Sequence, residues 1–215
     1  MTLPVAELEL LRRVVDAEER QRHKVADELH DDAVQALAAS VLHLQVLASR
    51  VDALRGEPSY GRGLANLEHG LRAARGVLFR LRAPMLAAHG PGAALGQELE
   101  RLERATGLET RLDWRVAERL DPLLETVVFR AGQEALDNVA RHAKASRVLV
   151  AAALDGGALE LEVADDGAGF DASGRFTGGL GTAAGRVALA GGRLRVTSAP
   201  GEGTTVLVWV PLPAV

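Results

Sequence analysis

Four short stretches of this sequence place polar side chains at spacings that could do chemistry. The first is Glu28-Leu29-His30-Asp31, followed by Gln35, where an imidazole lies in a strongly helical run with a carboxylate beside it. A neutral imidazole nitrogen is a nucleophile, and the adjacent carboxylate can fix its tautomer or act directly as a base. A histidine on a helix is more often an ordinary surface residue. A catalytic role for His30 is therefore inferred only if the other stretches indicate a reaction that uses it.

The second stretch runs from Gln133 to His142 and reads QEALDNVARH. On a helix, Glu134, Asn138 and His142 are each four residues apart and lie on one ridge. Oxygen ligands from glutamate and asparagine suit Mg²⁺, which takes few protein ligands and keeps other positions for water or phosphate. Taken alone, the stretch fits a solvated helix face equally well.

The third and fourth stretches are rich in glycine. Asp165 begins a D-x-G-x-G pattern after a predicted strand, with Gly167 and Gly169 allowing a tight backbone. A carboxylate at a strand end can accept a hydrogen bond from an exocyclic amine such as that of adenine, although a hairpin turn with an acidic edge would look the same. Thr177-Gly178-Gly179-Leu180-Gly181-Thr182 opens a helix, whose free N–H groups favour phosphate, or it is a flexible loop with capping glycines.

The composition excludes several classes of protein. The chain has 215 residues, 47% hydrophobic and 25% charged, which fits one or two soluble globular domains. Aromatic residues make up 3% and the net charge is −4, so we expect no nucleic-acid partner. The absence of cysteine fits the cytoplasm, and no apolar run approaches the roughly 20 residues that span a bilayer. We expect contact with a membrane only through a sensor segment that this chain lacks.

The first 88 residues predict two long helices joined by a short loop. Apolar residues recur every three or four positions from Val25 to Val51, and Gly56-Glu57-Pro58-Ser59 ends that pattern. A second helix is predicted from Gly61 to Met85, antiparallel to the first. Because a lone hairpin buries little of each stripe, we expect two copies to form a homodimeric four-helix bundle.

A linker at 89–92 separates this hairpin (1–88) from a second domain at 93–215. Asp121 and Pro122 mark a helix start as N-cap and first helical residue. The alternation of helices and strands predicts an α+β fold, an α/β sandwich with a mostly antiparallel sheet and helices on one face. We predict helices at 93–105, 121–142 and 181–190, and strands at 108–115, 147–154, 159–164, 193–198 and 204–210.

The three stretches of the second domain, in this order, resemble the N-, G1- and G2-boxes of GHKL ATPases, which share the Bergerat ATP-binding fold. The closing run from Gly191 to Val206 looks like the ending of the histidine kinase branch. Glu28 to Gln35 resembles the histidine box of one subfamily of sensor histidine kinases, which usually pairs with response regulators carrying a helix-turn-helix domain. Leu81 to Leu86 resembles the end of that subfamily's second bundle helix, so the likeness covers nearly the whole chain.

The resemblance implies a role for each residue. His30 would be the phosphoacceptor, Asp31 would orient or deprotonate it, and Gln35 would position the water that dephosphorylates the regulator. Glu134 would polarise the nucleophile side, and Asn138 would bind Mg²⁺. The implied ATP-binding residues are Asn138, His142, Asp165, Gly167, Gly169, Gly179, Leu180, Gly181 and Thr204.

The expected function is therefore ATP-dependent autophosphorylation of His30 and phosphotransfer to a response regulator. His23 is the competing acceptor, but no carboxylate follows it. Two alternatives stay open: a partner-switching serine kinase of the same superfamily, which needs no histidine hairpin, and a nucleotide-binding dimeric scaffold without transfer. The scaffold alternative rests on a difference from the family pattern: Thr182-Ala183-Ala184-Gly185-Arg186 replaces the residues that usually follow the glycines of the G2-box.

Overall fold

A computed structural model describes residues 5–172 and 178–212 of the chain. Contacts between residues divide the chain into two compact units. One unit is Ala17–Ala83, and the other joins Met1–Asp16 to Pro84–Val215. Across the described residues, no helix combines the length and apolar character that a bilayer crossing requires.

The Ala17–Ala83 unit is a helical hairpin. Helix α1 (Val5–Glu28) enters it, α2 (Gln35–Arg50) continues, the single turn α3 (Asp52–Arg55) follows, and α4 (Pro58–Arg82) returns along α2. The hydroxyl of Tyr60 donates to the carbonyl of Leu44, and the Gln45 amide donates to Glu68, as antiparallel packing requires. The core of this hairpin consists of Ala26, Val34, Val41, Leu71 and Leu78.

Between α1 and α2, residues Leu29–Val34 form a π-helical turn rather than the continuous α-helix that the sequence predicted. The spacing of the core residues explains the difference. Eight residues separate Ala26 from Val34, which would rotate Val34 about 80° away from Ala26 in an α-helix. A wider turn takes up part of that rotation, so both side chains face the core. His30 lies inside this turn.

The predicted linker at 89–92 is a buried bend. Helix α5 (Pro84–Thr106) is interrupted only at Gly90, whose φ of 81° and ψ of 179° are accessible essentially to glycine alone. Gly90, Pro91 and Gly92 are all buried. Arg119 donates through Nε to Oε1 of the buried Glu125 at 2.7 Å, directly beside Gly90. The bend therefore packs against a charged pair instead of being open to solvent.

The strands of the second unit are β1 (Glu109–Trp114), β2 (Arg147–Asp155), β3 (Ala158–Asp165), β4 (Arg193–Ser198) and β5 (Thr204–Pro211). They form a five-stranded sheet in the order β1-β2-β3-β5-β4. The strands β1 and β2 are parallel, and the other three pairs are antiparallel, as the sequence largely predicted. Helix α6 (Pro122–Asn138) starts with Asp121 capping the Leu123 N–H, and a π-helical turn, Val139–Ala143, extends it. The remaining helix, α7 (Gly179–Leu189), lies between β3 and β4 in the sequence.

One face of the sheet forms the core beneath the helices. Val150, Val163 and Val206 are cross-strand neighbours and are all buried. Two residues along the strands, the next row is buried as well: Ala152, Leu161 and Val208. Helix α5 contacts β1, α6 contacts β3 and β5, and α7 contacts β4 and β5. The predicted α+β fold, a helical hairpin and a sandwich with helices over a mixed sheet, is confirmed.

We predict that Gly90→Ala destabilises the second unit by roughly 1–3 kcal/mol, because an alanine cannot adopt this backbone conformation without strain. A Cβ at Gly90 would also approach Arg119 Nε at 3.3 Å. Urea unfolding followed by circular dichroism measures the loss.

The matched control is Gly185→Ala in α7, where a Cβ meets nothing within 4 Å. That substitution should stabilise the protein by about 0.5–1 kcal/mol, since alanine favours a helix interior. Equal unfolding midpoints for Gly90→Ala and the unsubstituted protein would contradict the strained bend.

Candidate functional site

A cavity of about 470 Å³ lies between α6, α7 and strands β3 and β5 of the second unit. Apolar side chains cover much of its wall, and a few polar groups converge on it, which is the usual character of a small-molecule site. Its lining residues are Ala135, Asn138, Val139, His142, Ala143, Val163, Asp165, Gly169, Phe170, Asp171, Gly179, Leu180, Thr204 and Val206.

The floor of the cavity is a cross-strand ladder. Asp165 pairs with Thr204, and Val163 pairs with Val206 two residues earlier on β3. The backbone N–H of Gly167 donates to Oδ1 of Asp165 at 2.8 Å. Burial raises the pKa of Asp165, although hydrogen bonds from the Gly167 and Thr204 backbones oppose that shift. A desolvated carboxylate at the base of an apolar cavity is a strong acceptor for a ligand N–H.

Two glycines shape the turn that follows Asp165. Gly169 has a φ of 57°, and a Cβ there would overlap the carbonyl oxygen of Ala199. Gly167 packs directly against the carbonyl oxygen of Ala143, at the end of the π-helical turn. Gly169 lines the cavity, whereas Gly167 lies behind its wall. Both glycines are required because backbone atoms approach where any side chain would stand.

The hydroxyl of Thr204 is held by a neighbour that the sequence reasoning missed. Ser198 Oγ lies 3.0 Å from Thr204 Oγ1 and donates to the Gly203 carbonyl at 2.8 Å. The Oγ atom of Ser198 also accepts a hydrogen bond from the backbone N–H of Phe170 at 2.9 Å. Ser198 therefore connects the floor of the cavity to the turn that carries its aromatic rim, Phe170.

Asn138 and His142 supply the polar wall on the α6 side. The Nδ2 atom of Asn138 is buried and has no hydrogen-bond partner among the described atoms. An amide end left without a partner in a cavity wall suits either a phosphate oxygen or, with nitrogen and oxygen exchanged, a cation. Within the described part of the chain, no three His, Cys, Asp or Glu side chains cluster as a metal site. Asn138 thus fits a Mg²⁺ ion that phosphates and water also hold.

The first turn of α7 also forms part of the cavity wall. Gly179 and Leu180 line the cavity, and the N-cap residue of α7, Gly178, supplies no side-chain cap. The carboxylate of Glu134 lies against Gly179, where a Cβ would overlap it. Gly181 and Glu134 are not among the lining residues. The uncapped N–H groups and dipole of an eleven-residue helix favour a phosphate there.

The predicted phosphoacceptor segment belongs to the other unit. His30 is half-buried within the π-helical turn, and Gln35 is exposed at the start of α2. The side chain of Asp31 lies outside the described residues, as does Thr177. The ring of His23 lies against its own helix, with Nδ1 2.8 Å from the carbonyl oxygen of Glu19.

Sequence reasoning also missed the apolar lining of the cavity. Ala135 on α6 and Val139 at the start of the following π-helical turn line the cavity near Asn138. Val163 and Val206 lie two residues from Asp165 and Thr204 on their strands. The signal was available, because residues two apart on a strand share a face. It went unused since apolar residues beside a motif read as ordinary core.

Comparisons with known proteins agree with this geometry. Residues 124–214 match the family described as histidine kinase-, DNA gyrase B-, and HSP90-like ATPase. The sensor histidine kinase MctS of Rhizobium johnstonii is 32% identical over 94% of this chain and 45% of its own length. The histidine-protein kinase/phosphatase UhpB of Salmonella typhimurium is 32% identical over 94% of this chain and 41% of its own length. The chain thus spans less than half of either relative.

Among solved structures, the histidine kinase domain of a blue-light-activated histidine kinase from Erythrobacter litoralis resembles this chain with a TM-score of 0.53. The likeness covers 90% of this chain and 94% of that domain, at 17% sequence identity. At this identity the match supports the fold.

We expect Asp165→Asn to leave the ligand-free protein at least as stable as the unsubstituted protein at neutral pH. Because the folded-state pKa of Asp165 lies above its ordinary value of 3.8, ionisation is less favourable in the folded state. The unsubstituted protein should lose stability relative to Asp165→Asn as the pH rises from near 3.8 through the raised pKa. Above that pKa the difference should stay constant.

Thermal unfolding between about pH 3 and pH 8 checks this expectation. The control is Asp155→Asn at the exposed end of β2, which makes the same chemical change outside the cavity lining. A difference for Asp165→Asn that shrinks as the pH rises would show that the carboxylate stabilises the fold.

Proposed function

We propose that this chain, as a member of the sensor histidine kinases that carry a GHKL-type ATPase domain, is a protein histidine kinase core acting in the cytoplasm. It binds Mg·ATP in the cavity of its second unit, phosphorylates His30 on its hairpin and passes the phosphoryl group to a response regulator. The observation that carries the proposal is the cavity itself. A half-buried carboxylate, Asp165, lies at its base, and a buried amide nitrogen without a partner among the described atoms, Nδ2 of Asn138, lies in its wall.

Each end of the cavity suits a different part of ATP. The carboxylate of Asp165 accepts a hydrogen bond from the exocyclic amine of adenine, with Thr204 beside it and apolar side chains against the ring. The first turn of α7, at Gly179 and Leu180, suits the phosphates. Asn138 would hold Mg²⁺, which neutralises phosphate charge during transfer. Gly181 belongs to the same first turn of α7. His142, four residues after Asn138, adds a second polar group to the cavity wall.

The transfer needs a neutral imidazole at His30. One ring nitrogen bonds to the γ-phosphorus while the bond from that phosphorus to the β–γ bridging oxygen breaks, so ADP leaves. By its resemblance to the family, Asp31 would accept a hydrogen bond from the other ring N–H, which would keep the attacking nitrogen unprotonated. Glu134, beside Gly179 at the phosphate end, would polarise the nucleophile side. Positioning and charge neutralisation carry most of the rate enhancement.

The phosphoryl group then passes to the acceptor aspartate of a response regulator. Gln35 is exposed and follows the His30 turn on the same helical segment. This placement suits a role in orienting the water that hydrolyses the phosphorylated regulator. UhpB is named as both a kinase and a phosphatase, and we propose the same second activity for this chain.

The kinase would act as a homodimer. The hairpin leaves large apolar side chains exposed: Leu42 by 58%, Val46 by 40% and Val77 by 36%. Leu42 and Val46 are one helical turn apart, on a face of α2 away from the buried Val41 and Ala48. A second hairpin packed on this face would bury them and complete a four-helix bundle.

Incubation with γ-labelled ATP tests the acceptor. We expect label that is lost in acid, as a phosphoramidate is, and that disappears in His30→Gln. The matched control is His23→Gln, which should keep the label because the His23 ring is engaged with its own helix. Acid-stable label would favour the serine kinase alternative, and absence of label with ATP still bound would favour the scaffold.

We predict that Leu42→Lys combined with Val46→Lys converts the dimer into a monomer in sedimentation velocity, because two charges cannot be buried without partners. The control is Leu154→Lys, also exposed but at the end of β2, which should stay dimeric. A monomeric unsubstituted chain, or dimers that survive both lysines, would contradict the bundle.

A further inference from the structure

The residue after Asp165 makes an unusually dense set of hydrogen bonds. Oδ1 of Asp166 accepts from the backbone N–H groups of Ser146 and Arg147, both at 2.8 Å. Oδ2 accepts from the Ser146 hydroxyl at 2.6 Å and from Arg147 Nε at 3.2 Å. The Asp166 N–H also donates to the Arg147 carbonyl at 3.3 Å. These bonds hold the pKa of Asp166 well below its usual range, with the Ser146 hydroxyl contributing most.

These bonds join two walls of the cavity. Ser146 and Arg147 follow the π-helical turn that carries His142, while Asp166 lies in the turn that begins at Asp165. Close backbone contacts continue the connection: the Ala168 N–H donates to the Ala143 carbonyl at 2.6 Å, and Gly167 packs on the same oxygen. Asp166 itself does not line the cavity.

We infer that Asp166 is a positioning residue for the adenine end of the cavity, holding Asp165 at a fixed distance from the wall that carries Asn138 and His142. The inference rests on the proposed nucleotide binding and adds to it a residue that never touches the ligand. Its geometry predicts that an acceptor oxygen at position 166 matters more for binding than the negative charge.

The conservative variant separates these two contributions. Asp166→Asn keeps an Oδ1 acceptor for the two backbone N–H groups and removes the charge, whereas Asp166→Ala removes every side-chain bond. The matched control is Asp113→Asn, which breaks a comparable exposed ion pair, with Arg115 at 2.6 Å, on β1 outside the cavity lining.

Titration calorimetry of the full chain with ADP provides the first readout. We expect Asp166→Ala to weaken ADP binding on the order of tenfold, the scale of one or two lost hydrogen bonds. Asp166→Asn should stay within about threefold of the unsubstituted protein, and Asp113→Asn should not change. Equal loss in the Asn and Ala variants, or unchanged binding in Asp166→Ala, would overturn the inference.

The second readout needs no nucleotide. The Ala168 amide should exchange its hydrogen faster in Asp166→Ala than in Asp166→Asn, because only the asparagine retains the turn. The charge of Asp166 raises the pKa of Asp165, so NMR titration should find that pKa lowered in Asp166→Asn. His142 and Asp171, the other titratable groups of the cavity lining, are common to all variants and cancel in the comparison.

These readouts separate the inference from the proposed function. Loss of ADP binding in the unsubstituted protein would remove the proposed function, while the exchange rates and the Asp165 pKa would still support or overturn the role of Asp166. If Asp166→Ala does not fold, an Ala168 amide that exchanges faster in Asp166→Asn than in the unsubstituted protein would overturn it.

Discussion

Holding a carboxylate at the base of an apolar cavity is the constraint on which the second unit depends. Asp165 is desolvated enough for its pKa to be raised, so ionisation works against folding unless hydrogen bonds compensate. Backbone N–H groups of Gly167 and Thr204 supply part of that compensation. The two oxygens of the carboxylate can accept more hydrogen bonds than these two, so Asp165 can also accept one from a ligand in the cavity.

Much of the surrounding structure keeps that strand end in place. Gly169 fits beneath the Ala199 carbonyl, Ser198 ties Thr204 to Phe170, and Gly167 brings the turn onto Ala143. Because Ala143 ends the π-helical turn that extends α6, the turn after Asp165 and the Asn138 wall form one connected piece. The segment around His30, the proposed phosphoacceptor, also lies in a π-helical turn. Such turns re-aim side chains without ending a helix, which suits sites that must face away from a core.

Sequence patterns predicted elements and motif residues well, and fine geometry less well. The N-cap Asp121, the alternating strands and the cavity-lining positions of Asn138, Asp165 and Gly179 all follow from local patterns. The π-helical turns and the buried bend at Gly90 do not, because each depends on which side chains meet across the fold. Ser198 and Asp166 were missed for the same reason: their partners are distant in sequence or, like Ser146, carry no motif of their own.

In the proposed complex the cavity holds ATP with adenine on Asp165 and the phosphates near Asn138 and Gly179. A crystal structure of the chain grown with Mg²⁺ and a non-hydrolysable ATP analogue would show this arrangement. We expect the exocyclic amine of adenine within hydrogen-bond distance of the Asp165 carboxylate, and phosphate oxygens beside α7. A cavity left empty at saturating analogue, or a nucleotide bound with its base at the α7 end, would contradict it.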